Sequence, residues 1–171
     1  MKVGVIDYGM GNIFSVTNTL NFLGVENELC SDPKKLIDFQ KLILPGVGSF
    51  YDCIKKLSEK KFIEPLNHNV IEMKKPILGI CLGMQVMAKK GYEGGECDGL
   101  GWFDASVKNI KIKNGKIKIP NIGWEEIKKI KESIILKNIK SNLEFYFIHS
   151  YQMVCNDFSD VTSIYNIGNL S

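Results

Sequence analysis

The residues with the clearest chemical meaning are a cysteine and the two glycines that flank it. Cys81 lies two residues after Gly79 and two residues before Gly83. An apolar run ends at the cysteine and helical composition follows at once, which predicts a sharp strand-to-helix turn that lifts the sulfur clear of a sheet. The positive end of the helix favours the thiolate, and the N–H of Leu82 points to where an oxyanion would form. The pattern indicates nucleophilic attack on a carbonyl group.

A second glycine-rich turn is predicted beside this cysteine. The PGVG segment at 45–48 follows another apolar strand, and the carboxyl ends of parallel strands meet at one edge of a sheet. Glycines let backbone N–H groups approach a ligand closely, so Val47 or Gly48 could supply a second oxyanion donor. The alternative interpretation of the two segments is a buried core cysteine beside an ordinary turn.

Alternating strand and helix signals surround these segments. Strands are predicted over 2–8, 25–30, 41–45 and 76–81, and helices over 13–23, 51–60, 64–74 and 83–90. The alternation predicts an α/β fold with a doubly wound, mostly parallel sheet flanked by helices, of the flavodoxin-like kind.

The second half of the chain changes character. It predicts an antiparallel β extension, with a hairpin over 102–120 that turns at Asn114-Gly115 and further strands over 144–151 and 161–165. Because no linker or low-complexity tract separates the halves, we expect a single domain over residues 1–171.

Composition excludes several classes of protein. With 171 residues and 44% hydrophobic residues the chain can bury a core, which excludes intrinsic disorder. No apolar run reaches the ~20 residues of a membrane span, and Asp7 interrupts the N-terminus too early for a signal peptide, so we expect a cytoplasmic protein without a membrane partner. All 22 basic residues are lysine and the net charge is only +3, which argues against a nucleic-acid partner.

Cysteine and histidine usage argues against a metal site. The five cysteines form no C-x-x-C pair, and the two histidines, His68 and His149, are isolated. We therefore expect reduced thiols and no metal.

Together the motifs resemble those of class I (triad) glutamine amidotransferases, most closely the glutaminase subunits of imidazole glycerol phosphate synthase. The matching segments run in family order: DYGMGN at 7–12, PGVG at 45–48, GICLGMQ at 79–85, GYEGG at 91–95, PNIGW at 120–124 and FYFIHSY at 145–151. The set covers nearly the whole chain, and it is far more specific than any one motif.

The resemblance implies an activity and a set of site residues. Cys81 would attack the side-chain carboxamide of glutamine, giving a glutamyl thioester and free ammonia. The oxyanion hole would come from Val47, Gly48 and Leu82. The residues implied to hold glutamine are Gln85, Glu93, His149, Ser150 and Tyr151.

The resemblance also implies a heterodimer. Ammonia would pass through a tunnel into a (β/α)8-barrel cyclase subunit, where it serves imidazole glycerol phosphate formation in histidine biosynthesis, and no cofactor is implied. The residues implied to face this partner are Asn12, Pro120, Asn121, Gly123 and Trp124.

Two departures from the family pattern leave alternatives open. The family's base comes from a His-Pro-Glu segment, and this chain contains no His-x-Glu, so the domain is either C-terminally incomplete or a triad-deficient scaffold. We expect incompleteness, and therefore weak or no glutamine hydrolysis by the 171 residues alone. Asn121 stands where the family has histidine, so a related role is the alternative: ammonia supply to a sugar amidotransferase in nucleotide-sugar or surface-glycan amidination. A non-catalytic flavodoxin-like binding module is a third hypothesis.

Overall fold

The computed structural model describes residues 1–111, 119–139 and 143–165. The strands in these ranges are β1 (Val3–Ile6), β2 (Asn27–Cys30), β3 (Lys41–Gly46), β4 (Ile77–Cys81), β5 (Ala88–Gly91), β6 (Cys97–Asp98), β7 (Phe103–Asn109), β8 (Asn121–Glu126), β9 (Lys128–Lys129), β10 (Glu144–His149), β11 (Tyr151–Cys155) and β12 (Ser163–Ile164). The α-helices there are α1 (Ile13–Phe22), α2 (Phe50–Glu59), α3 (Ile63–Asn67) and α4 (Leu82–Gln85). The π-helical segment His68–Glu72 continues α3, and 3-10 turns lie at Pro33–Asp38, Ile134–Leu136 and Phe158–Asp160.

The first half of the chain forms a parallel sheet in the order β2-β1-β3-β4. Its central strands are continuous apolar runs, and every residue of β1 is buried. Apolar runs of this kind suit a strand covered on both faces, as parallel strands are. The predicted α/β fold with a mostly parallel sheet is therefore confirmed.

The helices that follow β1 and β3 begin at polar caps. The Asn12 side chain accepts a hydrogen bond from the Ser15 N–H at the start of α1, and the Ser49 side chain accepts one from the Asp52 N–H at the start of α2. Helix α2 buries Phe50, Cys53 and Leu57 against the core, whereas α1 buries none of its side chains.

The second half is antiparallel for the most part, as predicted. One sheet has the order β11-β7-β5-β6, in which only the β5–β7 pair is parallel. Strands β8 and β10 form a separate antiparallel ribbon, and β9 pairs with β12. The predicted strand over 144–151 is divided at Ser150, because β10 belongs to the ribbon and β11 to the larger sheet.

Two local predictions differ from the structure. The helix predicted over 83–90 is only the short α4, and the remainder is β5, held between β6 and β7. Sheet pairing at long range overrides the helical composition of Met87-Ala88-Lys89-Lys90. No strand was predicted directly after residue 120, yet most of the PNIGW segment at 120–124 belongs to β8. The predicted Asn114-Gly115 turn lies outside the described residues.

Candidate active site

Cys81 lies at the turn between β4 and α4, where the nucleophile was predicted. Its backbone has φ 54° and ψ −118°, a positive φ that side-chain-bearing residues rarely adopt. The thiol is exposed, whereas the thiols of Cys30 and Cys53 are buried. A strained cysteine that presents its sulfur at the carboxyl end of a parallel strand is the geometry of a nucleophile elbow.

The glycines around the cysteine are required by close packing. A Cβ on Gly83 would lie 1.8 Å from the carbonyl oxygen of Leu44, and a Cβ on Gly79 would lie 2.5 Å from the Cα of Met84. Both contacts are shorter than any real Cβ contact, and both are with backbone atoms that cannot rotate away. The spacing read from the sequence therefore follows from the fit of α4 against β3 and β4.

The 45–48 loop lies beside the elbow, as predicted. Gly46 is the register partner of Cys81, and a Cβ on Gly46 would lie 2.6 Å from the Gly83 nitrogen. Gly48 has φ 99°, a conformation that favours glycine. Leu82 begins α4, so its N–H has no partner within the helix. The 45–48 loop and the start of α4 thus both lie beside Cys81.

Three of the residues implied to hold glutamine are joined by hydrogen bonds. The Gln85 Nε2 donates to the Tyr151 carbonyl oxygen at 3.1 Å, and His149 Nδ1 lies 2.8 Å from the same oxygen. Because a carbonyl can only accept, His149 carries its proton on Nδ1. Its Nε2 then accepts from the Tyr165 hydroxyl. Ser150 lies at the bend between His149 and Tyr151.

Glu93 lies beside the start of α2. Its backbone oxygen accepts a hydrogen bond from the Tyr51 N–H at 3.1 Å. Partial burial raises the pKa of the Glu93 carboxyl, and interaction with the backbone of Phe50 opposes the shift. Glu93 is therefore a half-buried acid beside the loop that leads to Ser49 and α2.

Neither histidine is placed to act as the base for Cys81. The His68 Nδ1 lies 2.7 Å from the Glu72 carboxylate on an exposed helical surface. Both ring nitrogens of His149 are engaged by Tyr151 and Tyr165. Across residues 1–111, 119–139 and 143–165, the hydrogen bonds and ion pairs join no histidine or carboxylate to the Cys81 thiol.

The residues expected to face a partner differ in how accessible they are. Trp124 is 65% exposed, and the position of Gly123 is open, with no atom within 4 Å of a Cβ built there. Asn121 is different, because its side chain is only 7% exposed and its Nδ2 donates to the Tyr165 hydroxyl at 3.4 Å. The Asn12 side chain is used as the α1 cap. Pro120 precedes β8 and follows a cis peptide bond.

The remaining chemistry-bearing side chains form no further centre in the described part of the chain. No group of three or more His, Cys, Asp or Glu side chains there is arranged to hold a metal ion. Burial raises the pKa of Cys30 to about 11 and that of Cys53 to about 12, which keeps these thiols protonated at neutral pH. No helix among these residues has the length and apolar character needed to cross a membrane.

Two tyrosines of the site were not predicted. Tyr165 contacts His149, and Tyr8 is fully buried with its hydroxyl 2.9 Å from the Pro45 carbonyl oxygen. The sequence could have indicated a role for Tyr8, because a tyrosine at the end of a buried strand needs a hydrogen-bond partner for its hydroxyl. No local sequence pattern predicts the contact between Tyr165 and His149, because it depends on the position of β12.

A parallel α/β sheet with a cysteine elbow of this kind is the arrangement of class I glutamine amidotransferases. The family described as glutamine amidotransferase class-I matches residues 4–165, and the chain belongs to it. The chain is 43% identical to imidazole glycerol phosphate synthase subunit HisH 1 of Campylobacter jejuni strain 81-176, over 91% of this chain and 77% of that protein. It is 40% identical to subunit HisH of Leptospira borgpetersenii, over 97% and 82% of the two chains. These relatives confirm the resemblance read from the sequence.

Solved structures agree on the fold. One described as the structure of PurLQS from Thermotoga maritima matches with a TM-score of 0.71 at 19% identity, covering 99% of this chain and 76% of that one. Another, described as a crystal structure of glutamine amidotransferase, matches with a TM-score of 0.64 at 20% identity, covering 91% and 74%. At such identities the likeness shows a shared architecture.

Proposed function

We propose that this chain is the glutaminase subunit of an imidazole glycerol phosphate synthase and acts in the cytoplasm. The sulfur of Cys81 attacks the side-chain carbonyl carbon of glutamine, and the carbonyl oxygen becomes an oxyanion. Collapse of this tetrahedral intermediate breaks the C–N bond, and the nitrogen leaves as ammonia after gaining a proton. Water then cleaves the glutamyl thioester, so that glutamine and water give glutamate and ammonia.

The observation that carries this proposal is the pairing of Cys81 with Gly46 at the carboxyl edge of the parallel sheet. In this proposal the strained, exposed thiol lies between the N–H of Leu82 and the N–H groups of Val47 and Gly48. Donors fixed in advance around a developing oxyanion stabilise it without reorganising, which is commonly the largest contribution to such catalysis.

We infer that glutamine lies between the Cys81 elbow and two flanking groups of side chains. One group consists of Gln85, His149, Ser150 and Tyr151, and the other is Glu93. Gln85 uses its Nε2 on the Tyr151 carbonyl, which leaves its Oε1 available to accept from the substrate. Glu93 would offer a carboxylate to the substrate ammonium. His149, Ser150 and Tyr151 would complete the pocket, with the Tyr151 carbonyl fixed by two donors.

We propose that the base for Cys81 comes from outside these 171 residues. Both histidines are engaged elsewhere, as described above. The relatives also extend further, since the matched regions are 77% and 82% of their lengths. We therefore expect little or no glutamine hydrolysis by the 171 residues alone, and robust turnover would contradict this.

The ribbon of β8 and β10 supports the proposed heterodimer. One face carries four exposed apolar side chains, Ile122, Trp124, Tyr146 and Ile148, with 54% to 65% of each accessible. Ile122 pairs with Ile148, and the rings of Trp124 and Tyr146 meet edge to face at 5.6 Å. Aromatic side chains exposed together in this way are typical of an interface core. We name these four residues the ribbon patch, and we propose that it contacts the (β/α)8-barrel synthase that receives ammonia.

Covalent labelling tests the proposed nucleophile. A glutamine analogue with a chloromethyl ketone in place of the carboxamide should label Cys81 in preference to Cys97 and Cys155, read by mass spectrometry after digestion. Equal slow labelling of all three thiols would leave a non-catalytic module as the better description. Co-purification then identifies the partner. Recovery of a sugar amidotransferase instead of a cyclase would contradict the proposed role in imidazole glycerol phosphate formation and favour the alternative role in sugar amidination.

A further inference from the structure

A buried hydroxyl lies directly behind the 45–48 loop. Tyr8 follows β1 and is completely buried, and its hydroxyl is 2.9 Å from the Pro45 carbonyl oxygen and 3.1 Å from the Cys53 sulfur. A phenol has one hydrogen, and the carbonyl can only accept, so Tyr8 donates to Pro45 and Cys53 donates to Tyr8. The bonds thus run in one direction, from Cys53 through Tyr8 to Pro45.

This bond occurs where the neighbouring backbone ladder stops. In the described part of the chain, the register between β1 and β3 ends at the Val5–Ile43 pair, whereas that between β3 and β4 continues to Gly46–Cys81. Pro45 therefore has a strand partner on the β4 side and lies past the last partner on the β1 side. The Tyr8 side chain supplies a hydrogen bond at that point.

The same side chain fixes both ends of the loop. Pro45 begins the 45–48 loop, and Cys53 is on α2, which starts immediately after the loop at its Ser49 cap. The turn that follows Tyr8 also packs on the loop, because a Cβ on Gly11 would lie 3.1 Å from the Pro45 ring. The position of the loop relative to α2 is thus determined from inside the core.

We propose that Tyr8 is a positioning residue for nucleophilic attack, holding the 45–48 loop so that its N–H groups meet the oxyanion formed at Cys81. The proposal rests on the proposed function, since it requires that an oxyanion forms there. Gly46 is packed closely against the backbone of Gly83, so a shift of the 45–48 loop would also disturb the turn at Cys81. Burial raises the pKa of both Tyr8 and Cys53, consistent with both groups keeping their protons.

Two electrophiles separate positioning from general damage. With the glutamine-derived chloromethyl ketone, the Cys81 thiolate adds to the carbonyl carbon and forms an oxyanion before the C–Cl bond breaks and chloride leaves. With iodoacetamide, the thiolate displaces iodide directly and no oxyanion forms. Only the first reaction needs the N–H groups of the 45–48 loop.

We expect Tyr8→Phe to slow ketone labelling of Cys81 about tenfold, less than the loss of a whole oxyanion donor. Iodoacetamide labelling of Cys81 should stay within about twofold of the unmodified chain. Leu57→Val is the control for a weakened core, since Leu57 is buried on α2 and its side chain makes no hydrogen bond. It should leave the ratio of the two labelling rates unchanged.

A second pair of variants keeps the test decisive if Tyr8→Phe does not fold. Cys53→Ala removes the donor to Tyr8 and should lower the ketone-to-iodoacetamide ratio by about threefold, while Cys53→Ser keeps a donor and should restore it. Equal ratios in Cys53→Ala, Cys53→Ser and the unmodified chain would overturn the proposal, as would an unchanged ratio in folded Tyr8→Phe. If the unmodified chain shows no preference for the ketone at Cys81, the proposed function itself fails, and the role of Tyr8 with it.

Discussion

Gly46 and Cys81 are register partners at the carboxyl ends of the neighbouring parallel strands β3 and β4. The pairing brings a glycine-rich loop and a strained cysteine side by side although 34 residues separate them in the chain. Because parallel strands end at a common edge, strand pairing aligns Gly46 with Cys81, and Tyr8 is proposed to hold the rest of the loop. The fit at this edge is close, which makes its glycines sensitive to substitution.

Gly83→Ala should destabilise the domain strongly. Its new Cβ would overlap the Leu44 carbonyl oxygen at 1.8 Å, so the elbow or β3 must shift. We expect a loss of about 3 kcal/mol or more in the free energy of unfolding, measured by urea denaturation. Gly123→Ala is the matched control, because nothing lies within 4 Å of its Cβ position, and it should change stability by less than about 0.5 kcal/mol. Similar losses in both variants would contradict the packing argument.

Trp124→Ala should weaken binding to the synthase partner without unfolding the chain. Trp124 is the most exposed residue of the ribbon patch, at 65%, and an aromatic anchor of this kind contributes about 2 kcal/mol, or roughly 30-fold in Kd. Titration calorimetry with the purified partner measures the change. Ile134→Ala, at a residue that is 93% exposed and outside the patch, should leave Kd unaltered. An unchanged Kd for Trp124→Ala would place the interface elsewhere.

Alkaline pH should destabilise the domain through its buried thiols. The pKa values of Cys30 and Cys53 are raised from 9.0 to about 11 and about 12, so folding favours their protonated forms. Their contribution is complete below pH 9 and is lost as the pH rises through 11 to 12. Urea unfolding under reducing conditions at pH 8 and pH 10 should show lower stability at pH 10. The double variant Cys30→Ala/Cys53→Ala should depend less on pH, and an undiminished dependence would assign the effect to other groups.

Glu93→Gln should stabilise the fold while impairing the site. Burial raises the pKa of Glu93 above its usual 4.5, so the carboxylate form opposes folding at neutral pH. The neutral amide should therefore raise Tm at pH 7, and the difference should vanish as the pH falls below 4.5, where the native and unfolded chains are both protonated. With an active complex, KM for glutamine should rise. A lower Tm at pH 7 would show that the carboxylate is favourably paired.

Tyr165→Phe should release His149 from its present tautomer. The Tyr165 hydroxyl donates to Nε2 while Nδ1–H donates to the Tyr151 carbonyl, so ¹⁵N NMR should find the proton on Nδ1. Loss of the hydroxyl removes a hydrogen bond of about 1 kcal/mol and should shift the His149 signals toward a mixture of tautomers. His68 lies on an exposed helical surface and serves as the internal control. Unchanged His149 signals would show that the Tyr151 carbonyl alone determines the tautomer.

Much of the site could be predicted from local pattern because the elbow requires glycines at fixed positions. The short distances around Gly79 and Gly83 leave room for glycine only, although the atom nearest to a Cβ on Gly83 belongs to Leu44 on a neighbouring strand. Likewise, an apolar run such as β1 is needed wherever a parallel strand is covered on both faces. The predictions of the fold class and of the nucleophile follow from these two kinds of signal.

Other features depended on contacts between distant segments. The residues after α4 have helical composition but form β5, because β6 and β7 pair with them from later in the chain. Asn121 was expected at a partner surface, yet its side chain turns inward to Tyr165. The residues adjacent to a position in the sequence do not indicate which later strand or side chain that position will contact.

From the sequence alone we predict that Cys81 is the nucleophile and that glycines surround it, and the sequence contains no His-x-Glu base. The tertiary structure adds that both ring nitrogens of His149 are occupied, that the ribbon patch is exposed, and that the Tyr8 hydroxyl donates to the Pro45 carbonyl oxygen. The elbow requires glycine at fixed positions, and these residues can be read directly in the sequence. A hydrogen bond between Tyr8 and Pro45, by contrast, exists only once the sheet has brought the two residues together, so no local pattern predicts it.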